Sequence, residues 1–272
     1  MKLKQALKNK LTKKQLELVP TSFDVVGDIL IFADFPEELK SKEKIIGEEI
    51  LRLFKNIKVV CKKTKKYSGK YRLPKLKILA GERRKETIHK ENNIRVKLHV
   101  ENVYFSARSS NERKRVASLI KKGESVLVMF SGSAVLPINI AKNTEAKEIY
   151  GIEINPVAHR YAQENLKLNK TGNITLLKGD VEYIIPRLKK RFDRILMPLP
   201  KDAENFLGLA SKVAKKNATI HLYTFLEEEK IDKRYVNNYL KRYIKEFKIL
   251  DVVKCGGFGP GIFRTCIDFR IL

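Results

Sequence analysis

The stretch "SVLVMFSGSAVLPINIAKN" (residues 125–143) joins an apolar run of strand length to a helix-length segment through a short loop that contains Gly132. The arrangement recurs in "EIYGIEINP" (148–156), "ITLLKGDVEYI" (174–184) and "FDRILMPLPK" (192–201). Short apolar strands that alternate with helices are typical of a mostly parallel sheet covered by helices. We therefore predict an α/β fold for the C-terminal part of the chain, closed by two strands in "KILDVVKC" and "FRTCIDFRIL".

The N-terminal part of the chain has a different pattern. Residues 1–18 have the composition of a basic helix, and "SFDVVGDILIFADFP" (22–36) predicts two strands joined at Gly27-Asp28. A helical segment and several short strands follow, as far as about Phe105. We predict a small α+β domain over residues 1–105 and a larger α/β domain over residues 106–272.

The charge of the chain is strongly positive. The 272 residues include 57 Lys+Arg against 31 Asp+Glu, a formal net charge of +26, and residues 51–100 alone hold 17 basic and 3 acidic residues. Such a field attracts polyanions, and Tyr67 and Tyr71 lie within the basic run, where rings can pack on bases or riboses. The alternative is a solubilising face with ion pairs, but few acidic residues lie nearby in the sequence. We predict that this domain binds nucleic acid through Lys62, Lys63, Lys65, Lys66, Lys70 and Arg72.

Several classes of protein are disfavoured by what the sequence lacks. No apolar run approaches the roughly 20 residues that span a bilayer, and the N-terminus "MKLKQALKNKLTKK" has no apolar signal segment. The three cysteines, Cys61, Cys255 and Cys266, have no CxxC spacing, so neither a disulfide framework nor a metal site is indicated. We expect a cytoplasmic protein with no membrane partner and no metal.

Three of the predicted strand ends carry residues that suit one ligand. Ligands collect where the strands of an open parallel sheet end. Gly132 permits close approach to a helix N-terminus, Glu153 could accept both hydroxyls of a ribose, and Asp180 could accept an adenine amine, with Val181 against the ring. Singly these residues suit plainer roles: a loop glycine, a solvated acid and a helix N-cap. Together they indicate an S-adenosylmethionine site, because a dinucleotide site would carry more glycines.

A fourth strand end, "MPLP" (197–200), has two prolines one residue apart. Proline fixes φ and has no N–H, so the carbonyl groups of such a segment keep a defined direction. The segment could hold a planar amine for reaction. It could equally be a strand that ends at proline, and the stretch itself leaves both interpretations open.

Several longer motifs resemble one family, the archaeal and eukaryotic tRNA (guanine-37-N1)-methyltransferases and the related wybutosine-synthesis transferases. The motifs are "VYFSARSSNERKRVA", "MFSGSAVLPI", "IYGIEINPVAHRYAQENLKLNK", "DRILMPLPKDAENFL" and "FGPGIFRTCIDFRI". The resemblance covers roughly residues 20–272 and implies a class I, Rossmann-like methyltransferase domain preceded by a small RNA-binding domain. It also implies a monomer that transfers a methyl group from S-adenosylmethionine to N1 of guanosine 37 in the anticodon loop of tRNA.

Matching the motifs residue by residue implies a role for individual side chains. Arg108 occupies the catalytic arginine position, and Pro198, Leu199 and Pro200 occupy the segment that holds the target base. The cofactor contacts implied are Ser106, Arg113, Phe130, Gly132, Glu153, Asn155, Asp180 and Val181.

The sequence departs from the family pattern at three places. Val128 stands where aspartate is common, Ala134-Val135 where a second Gly-Pro is usual, and Pro198 where the family has asparagine. Pro198 cannot give the side-chain hydrogen bond of asparagine, so the backbone and Arg108 should hold the target base. The general base is not assigned.

Two alternative functions remain. One is a wyosine-pathway transferase, acting by aminocarboxypropyl transfer or by methylation of a tricyclic precursor, and the other is a non-catalytic RNA-binding relative. The resemblance favours plain methylation, because Arg108 and Leu199-Pro200 are absent from the aminocarboxypropyl branch.

Overall fold

The computed structural model describes residues 2–272, apart from the side chains of Lys2, Lys66, Tyr67 and Ser68, and the chain divides into two compact units. The N-terminal unit contains residues 1–90 and 95–107, and the C-terminal unit contains residues 91–94 and 108–272. The turn at residues 91–94 thus belongs to the C-terminal unit. The sequence analysis did not predict that residues 91–94 group with the C-terminal unit. The domain boundary between residues 105 and 106 stays a prediction.

The N-terminal unit begins with two short helices, so the single helix predicted for residues 1–18 is wrong. Thr12 starts the second helix with a capping box: its Oγ1 accepts from the Gln15 N–H at 3.3 Å, and Gln15 Oε1 accepts from the Thr12 N–H at 3.1 Å. The elements up to residue 99 are α1 (Lys2–Ala6), α2 (Lys13–Leu18), β1 (Asp24–Val26), β2 (Ile29–Phe32), α3 (Glu43–Leu53), β3 (Val59–Ser68), β4 (Leu73–Gly81), β5 (Glu86–Glu91) and β6 (Ile94–His99).

The first four strands form one sheet in the order β1-β2-β3-β4. β1 and β2 are antiparallel, whereas β2 and β3 are parallel and are connected through α3. Ile46 and Ile50 of α3 are buried in the same core as Leu30 and Phe32 of β2. β5 and β6 form a separate two-stranded sheet.

The C-terminal unit contains a seven-stranded sheet in the order β12-β13-β11-β10-β7-β8-β9. Six of the seven strands run in the same direction, and β13 runs antiparallel to both of its neighbours, β11 and β12. This order and direction is that of the class I methyltransferase sheet, so the predicted fold class is confirmed. The elements are α4 (Ser110–Ser118), β7 (Ser125–Met129), α5 (Val135–Asn143), β8 (Glu148–Glu153), α6 (Pro156–Asn169), β9 (Ile174–Lys178), α7 (Val181–Ile184), β10 (Phe192–Met197), α8 (Leu207–Lys212), β11 (Ala214–Glu227), α9 (Lys233–Leu240), β12 (Phe247–Gly259) and β13 (Ile262–Ile271).

Alternate residues of β7 face two different cores. Leu127 and Met129 belong to a large core that also includes residues of α7, α8 and α9, and Val126 and Val128 belong to a second core with residues of α4 and α5. A strand covered on both faces needs apolar residues at every position, which explains the uninterrupted apolar run in the sequence. Val128, one of the departures from the family pattern, is a fully buried residue of the second core.

Among the described helices, none is both long enough and apolar enough to cross a membrane.

Candidate active site at the carboxyl ends of the sheet strands

The loop between β7 and α5 has an unusual backbone. Phe130, Gly132 and Ala134 all have positive φ, at 60°, 58° and 63°. Left-handed conformations are uncommon for residues other than glycine, and such strain is concentrated at ligand-binding sites. The Phe130 ring packs on Phe206 in an edge-to-face arrangement, with ring centroids 5.2 Å apart. The loop is therefore held in a defined shape at the carboxyl end of the central strand.

Glu153 ties this loop to the next strand of the sheet. It is the last residue of β8, and its carboxylate accepts hydrogen bonds from the Gly132 N–H at 2.6 Å and from the Asn155 N–H at 2.7 Å. Only 8% of the residue is exposed. Burial raises the pKa of the Glu153 carboxyl, and the backbone donors Asn155, Gly132 and Ile154 offset only part of this effect.

Asn155 and Asp180 begin the helices that follow β8 and β9. Asn155 Oδ1 accepts from the N–H groups of Val157 and Ala158 at the start of α6, and Asp180 Oδ1 accepts from the Glu182 N–H at 3.1 Å. Both residues thus have the plain N-cap role.

The residues at these strand ends fit the predicted cofactor. A carboxylate offers about four acceptor positions, so Glu153 can still accept ribose hydroxyls while it holds the two N–H groups. The hydroxyls of Ser131 and Ser133 are buried and have no hydrogen-bond partner within the described part of the chain. Buried polar groups are normally satisfied, so these two hydroxyls are a further unusual feature of the loop. The structure thus places the residues of the predicted cofactor site at the ends of neighbouring strands, β7, β8 and β9.

The proline segment after β10 forms a tight turn. The Leu199 N–H donates to the Met197 carbonyl at 2.8 Å, and the Leu199 side chain packs against the large core. The only N–H between the two prolines is thus used within the turn, and both prolines have fixed φ. The turn leaves the same edge of the sheet as Glu153, because β10 and β8 are both parallel to β7.

The arginines of the "SARSSNER" segment have different surroundings. Arg108 is an exposed residue in a single 3-10 turn before α4. Arg113 is buried, and its guanidinium forms a two-point ion pair with Glu91, with N···O distances of 2.6 and 2.5 Å. The predicted cofactor contact of Arg113 stays a prediction. Ser106 belongs to the N-terminal unit, unlike the other predicted cofactor contacts, and its role also stays a prediction.

A buried ionic network on the α4 side of the sheet was missed by the sequence analysis. Asp268 accepts from Arg115 Nη1 at 2.7 Å and from His221 Nδ1 at 2.6 Å, and His221 Nε2 lies 2.7 Å from Arg194 Nη1. Complete burial lowers the pKa of His221, so its neutral ring donates to Asp268 and accepts from Arg194. Burial raises the pKa of Asp268, but the hydrogen bonds from His221 and Arg115 outweigh it and bring that pKa well below its usual range.

The network continues onto α4. Arg115 also pairs with Glu112, which accepts from the buried Tyr223 hydroxyl at 2.8 Å. The only sequence signal was the charged segment "NERKR" (111–115), in which Glu112 and Arg115 have partners more than 100 residues away. Within the described residues, His221, Cys266 and Asp268 form a group with metal-ligand atoms less than 4.8 Å apart. Two arginines already hold His221 and Asp268, so we assign the group to ion pairing.

The basic run of the N-terminal unit is more extensively paired than the sequence suggested. Acidic side chains distant in sequence reach it, most clearly at Lys62, which is 5% exposed and lies 2.8 Å from Glu43. We therefore leave Lys62 out of the proposed RNA-binding surface. Other pairs are Lys77 with Glu43, Lys75 with Glu101, Arg84 with Asp28, and Lys97 with Glu86.

The remaining predicted RNA contacts are grouped around the turn between β3 and β4. Lys65 and Lys70 are exposed, and Lys63 and Arg72 are half-buried. Arg72 closes the turn, since its N–H donates to the Gly69 carbonyl at 3.0 Å. The Lys66 side chain, also predicted as a contact, lies outside the described residues.

Comparison with known proteins places this arrangement in a family. A family model described as the TRM5/TYW2 methyltransferase domain matches residues 87–253, and a model of the TYW2 N-terminal domain matches residues 3–84. The chain belongs to the TRM5/TYW2 methyltransferase family. The resemblance identified in the sequence motifs is thereby confirmed.

Relatives within the TRM5/TYW2 family are named for different reactions at position 37 of tRNA. The chain is 38% identical over 256 residues to the tRNA (guanine(37)-N(1))-methyltransferase Trm5b of Pyrococcus abyssi, a match that covers 93% of this chain and 76% of the relative. It is 31% identical over 256 residues to the tRNA(Phe) (4-demethylwyosine(37)-C(7)) aminocarboxypropyltransferase of Methanocaldococcus jannaschii, covering 91% and 97% of the two chains.

Solved structures of the TRM5/TYW2 family agree with the fold. The structure described as the complex of aTrm5 and tRNALeu superposes with a TM-score of 0.86 at 30% identity, covering 99% of this chain and 78% of that one.

Proposed function

We propose that this protein transfers a methyl group from S-adenosylmethionine to N1 of guanosine 37 in tRNA. The observation that carries the proposal is the 38% identity, over 93% of this chain, to a relative named for that reaction. The positions of Gly132, Glu153 and Asp180 at neighbouring strand ends support it. S-adenosylmethionine is a methyl donor, and the loop, Glu153 and Asp180 form a polar site for its ribose and adenine.

Glu153 is assigned to cofactor binding and not to proton removal. Its carboxylate is fixed between the Gly132 and Asn155 N–H groups in a buried position. A general base for N1 must reach the edge of the guanine, and a carboxylate fixed in this way has little freedom to do so. In the reaction the N1–C bond forms as the S–C bond breaks, and the N1 proton leaves to a base or to water.

Arg108 is assigned to the guanine. Loss of the N1 proton places negative charge on O6, and a guanidinium stays protonated and presents several donors. Arg108 is exposed at the start of the segment that leads into α4. The turn at Pro198, Leu199 and Pro200 supplies the backbone against which the base is held.

The substrate is tRNA, bound through the basic residues of the β3–β4 turn and read at position 37 of the anticodon loop. Its target base must leave the stack, which costs a few kcal/mol and less in a loop than in a duplex. We further propose that the protein acts as a monomer; its cytoplasmic location stays a prediction.

The test is a product analysis with two isotopic labels. The protein is incubated with unmodified tRNA that carries G37 and with S-adenosylmethionine labelled separately in the methyl and aminocarboxypropyl groups, and the tRNA is then digested to nucleosides. We expect the methyl label alone in 1-methylguanosine, and no transfer to a matched tRNA with A37. Failure to transfer either label would overturn the proposal.

One observation favours a second candidate, a wyosine-pathway transferase. Residues 3–84 match the TYW2 N-terminal domain, and a relative at 31% identity is named an aminocarboxypropyltransferase. The same assay, repeated on tRNA that carries 4-demethylwyosine at position 37, separates the two. Aminocarboxypropyl label in that product would select this candidate, and methyl label would show that the tricyclic base is methylated.

A further inference from the structure

Three strands of the C-terminal unit extend beyond the rest of the sheet at its carboxyl edge. The last residue of β10, Met197, pairs with Leu222 of β11, and β11 continues for five further residues to Glu227. That extension pairs with β13, and β13 pairs with β12 as far as Gly259. At about 3.3 Å per residue the extension rises roughly 16 Å above the end of β10. We call residues 223–227 and 253–266 the projecting hairpin; its β11 part continues past the point where β10 ends and the turn at 198–200 begins.

The projecting hairpin carries an exposed aromatic surface near its tip. Phe258 is 66% exposed and packs on Phe225, with ring centroids 4.0 Å apart and an interplanar angle of 33°. Added Cβ atoms on Gly257, Gly259 or Gly261 would meet no atom within 4 Å. The ring of Phe258 is therefore supported by Phe225 and exposed over most of its surface, so a flat group can approach it.

The charges around these rings are nearly balanced. Lys254 lies 2.6 Å from Glu228, and Lys230 lies 2.9 Å from Glu227. Arg264 donates to the Cys255 carbonyl at 2.8 Å. Such a surface has little excess positive charge for phosphates. Stacking of a base on a ring does not require that charge, because every base has a π face.

We propose that Phe258 is a stacking platform for a nucleobase of the anticodon loop next to the target guanine. The inference rests on the proposed function. Extrusion of the target base exposes the faces of its neighbours, and the projecting hairpin lies at the edge of the sheet where that base must enter. A second copy of the chain fits this surface less well, because a stable dimer needs about 800 Å² per partner and the exposed apolar surface here centres on one ring.

The test compares Phe258→Ala with Phe258→Trp, and uses Tyr243→Ala as a control for loss of an exposed ring on another element. We expect Phe258→Ala to raise the KM and Kd for tRNA by about 5- to 100-fold, with the Kd for S-adenosylmethionine and the salt dependence of tRNA binding unchanged. Phe258→Trp should keep tRNA binding near the wild-type level, because it keeps an aromatic ring, and Tyr243→Ala should leave binding unchanged.

A second measurement reports stacking directly. With 2-aminopurine at position 36 or 38 of the tRNA, the wild-type complex should quench the fluorescence at one of these positions, and Phe258→Ala should restore it. An unchanged Kd for tRNA in Phe258→Ala, or absence of quenching at both positions, would overturn the inference while wild-type methyl transfer persists. Absence of methyl transfer by the wild-type protein would instead overturn the proposed function.

Discussion

Glu153 shows how one side chain can serve both the fold and a ligand. Its carboxylate connects the Gly132 loop to the start of α6, and its backbone carbonyl accepts from the Gly179 N–H at 2.9 Å. Three strand ends are thus fixed through a single residue. The carboxylate keeps unused acceptor positions, which suits a residue that binds hydroxyl groups.

Glu153→Gln should weaken cofactor binding by about tenfold or more, because an amide NH2 would face one of the two backbone N–H donors and leave it unsatisfied. Titration calorimetry with S-adenosylmethionine measures the effect, with Glu145→Gln, an exposed residue, as the control. Since burial raises the pKa of Glu153, wild-type affinity should rise with pH through that raised pKa as the carboxylate forms. The affinity of the Gln variant should be flat there; a parallel pH profile would contradict the assignment.

Arg108→Ala tests the role of the exposed guanidinium. We expect turnover to fall about 100-fold, the cost of losing one donor to a developing negative charge, with little change in the Kd for cofactor. Single-turnover methylation and equilibrium binding separate the two effects, and Arg242→Ala provides an exposed arginine as control. An equal loss of cofactor affinity would contradict the assigned role.

At the scale of elements, α4 is held by three buried polar contacts to other parts of the C-terminal unit. Arg113 pairs with Glu91, Arg115 pairs with Asp268, and Glu112 accepts from Tyr223. Arg108 precedes this helix by a single 3-10 turn. The network therefore fixes the element from which the proposed catalytic arginine projects.

Asp268→Asn should destabilise the fold by about 3–5 kcal/mol at neutral pH, since it removes the charge that Arg115 faces in a buried site. The pKa of Asp268 is lower in the folded protein than in the unfolded chain, where it is 3.8. Its contribution to the free energy of unfolding is therefore fully present above pH 3.8 and is lost as the pH falls through the folded pKa. The difference between variant and wild type should thus shrink in strong acid. Denaturant unfolding at several pH values measures it, with the exposed Asp251→Asn as control; a constant difference would count against this account.

At the scale of the whole molecule, net charge is a poor guide to which lysine and arginine side chains contact RNA. The chain has a formal net charge of +26, yet several lysines of its most basic segment are paired with acidic residues from other elements. Long-range attraction of tRNA comes from the whole field, whereas phosphate contacts depend on individual exposed side chains.

Changing Lys65, Lys70 and Arg72 together to Gln should weaken tRNA binding and flatten its salt dependence. Each lost phosphate contact lowers the slope of log K against log salt by about 0.7–0.9, so a drop of about 2–3 is expected. The control changes Lys40, Lys44 and Lys55, exposed lysines of the same unit, to Gln and gives the same net charge. Equal slopes in the two triple variants would refute a specific role for the turn.

The sequence by itself determined the sheet, the order of its strand ends and the residues at them. Strand and helix periods are local, and apolar residues at every position of β7 or a proline after β10 can be read without knowing their neighbours. The capping box at Thr12 was equally local and was available in the sequence. Only the tertiary structure decided which charged side chains form ion pairs, because the partners come from distant segments. The pairs are Lys62 with Glu43, Asp268 with Arg115 and Arg113 with Glu91. It also decided that Phe258 is exposed on strands that extend past the end of β10, since the relative lengths of β10 and β11 matter only once the two strands are paired.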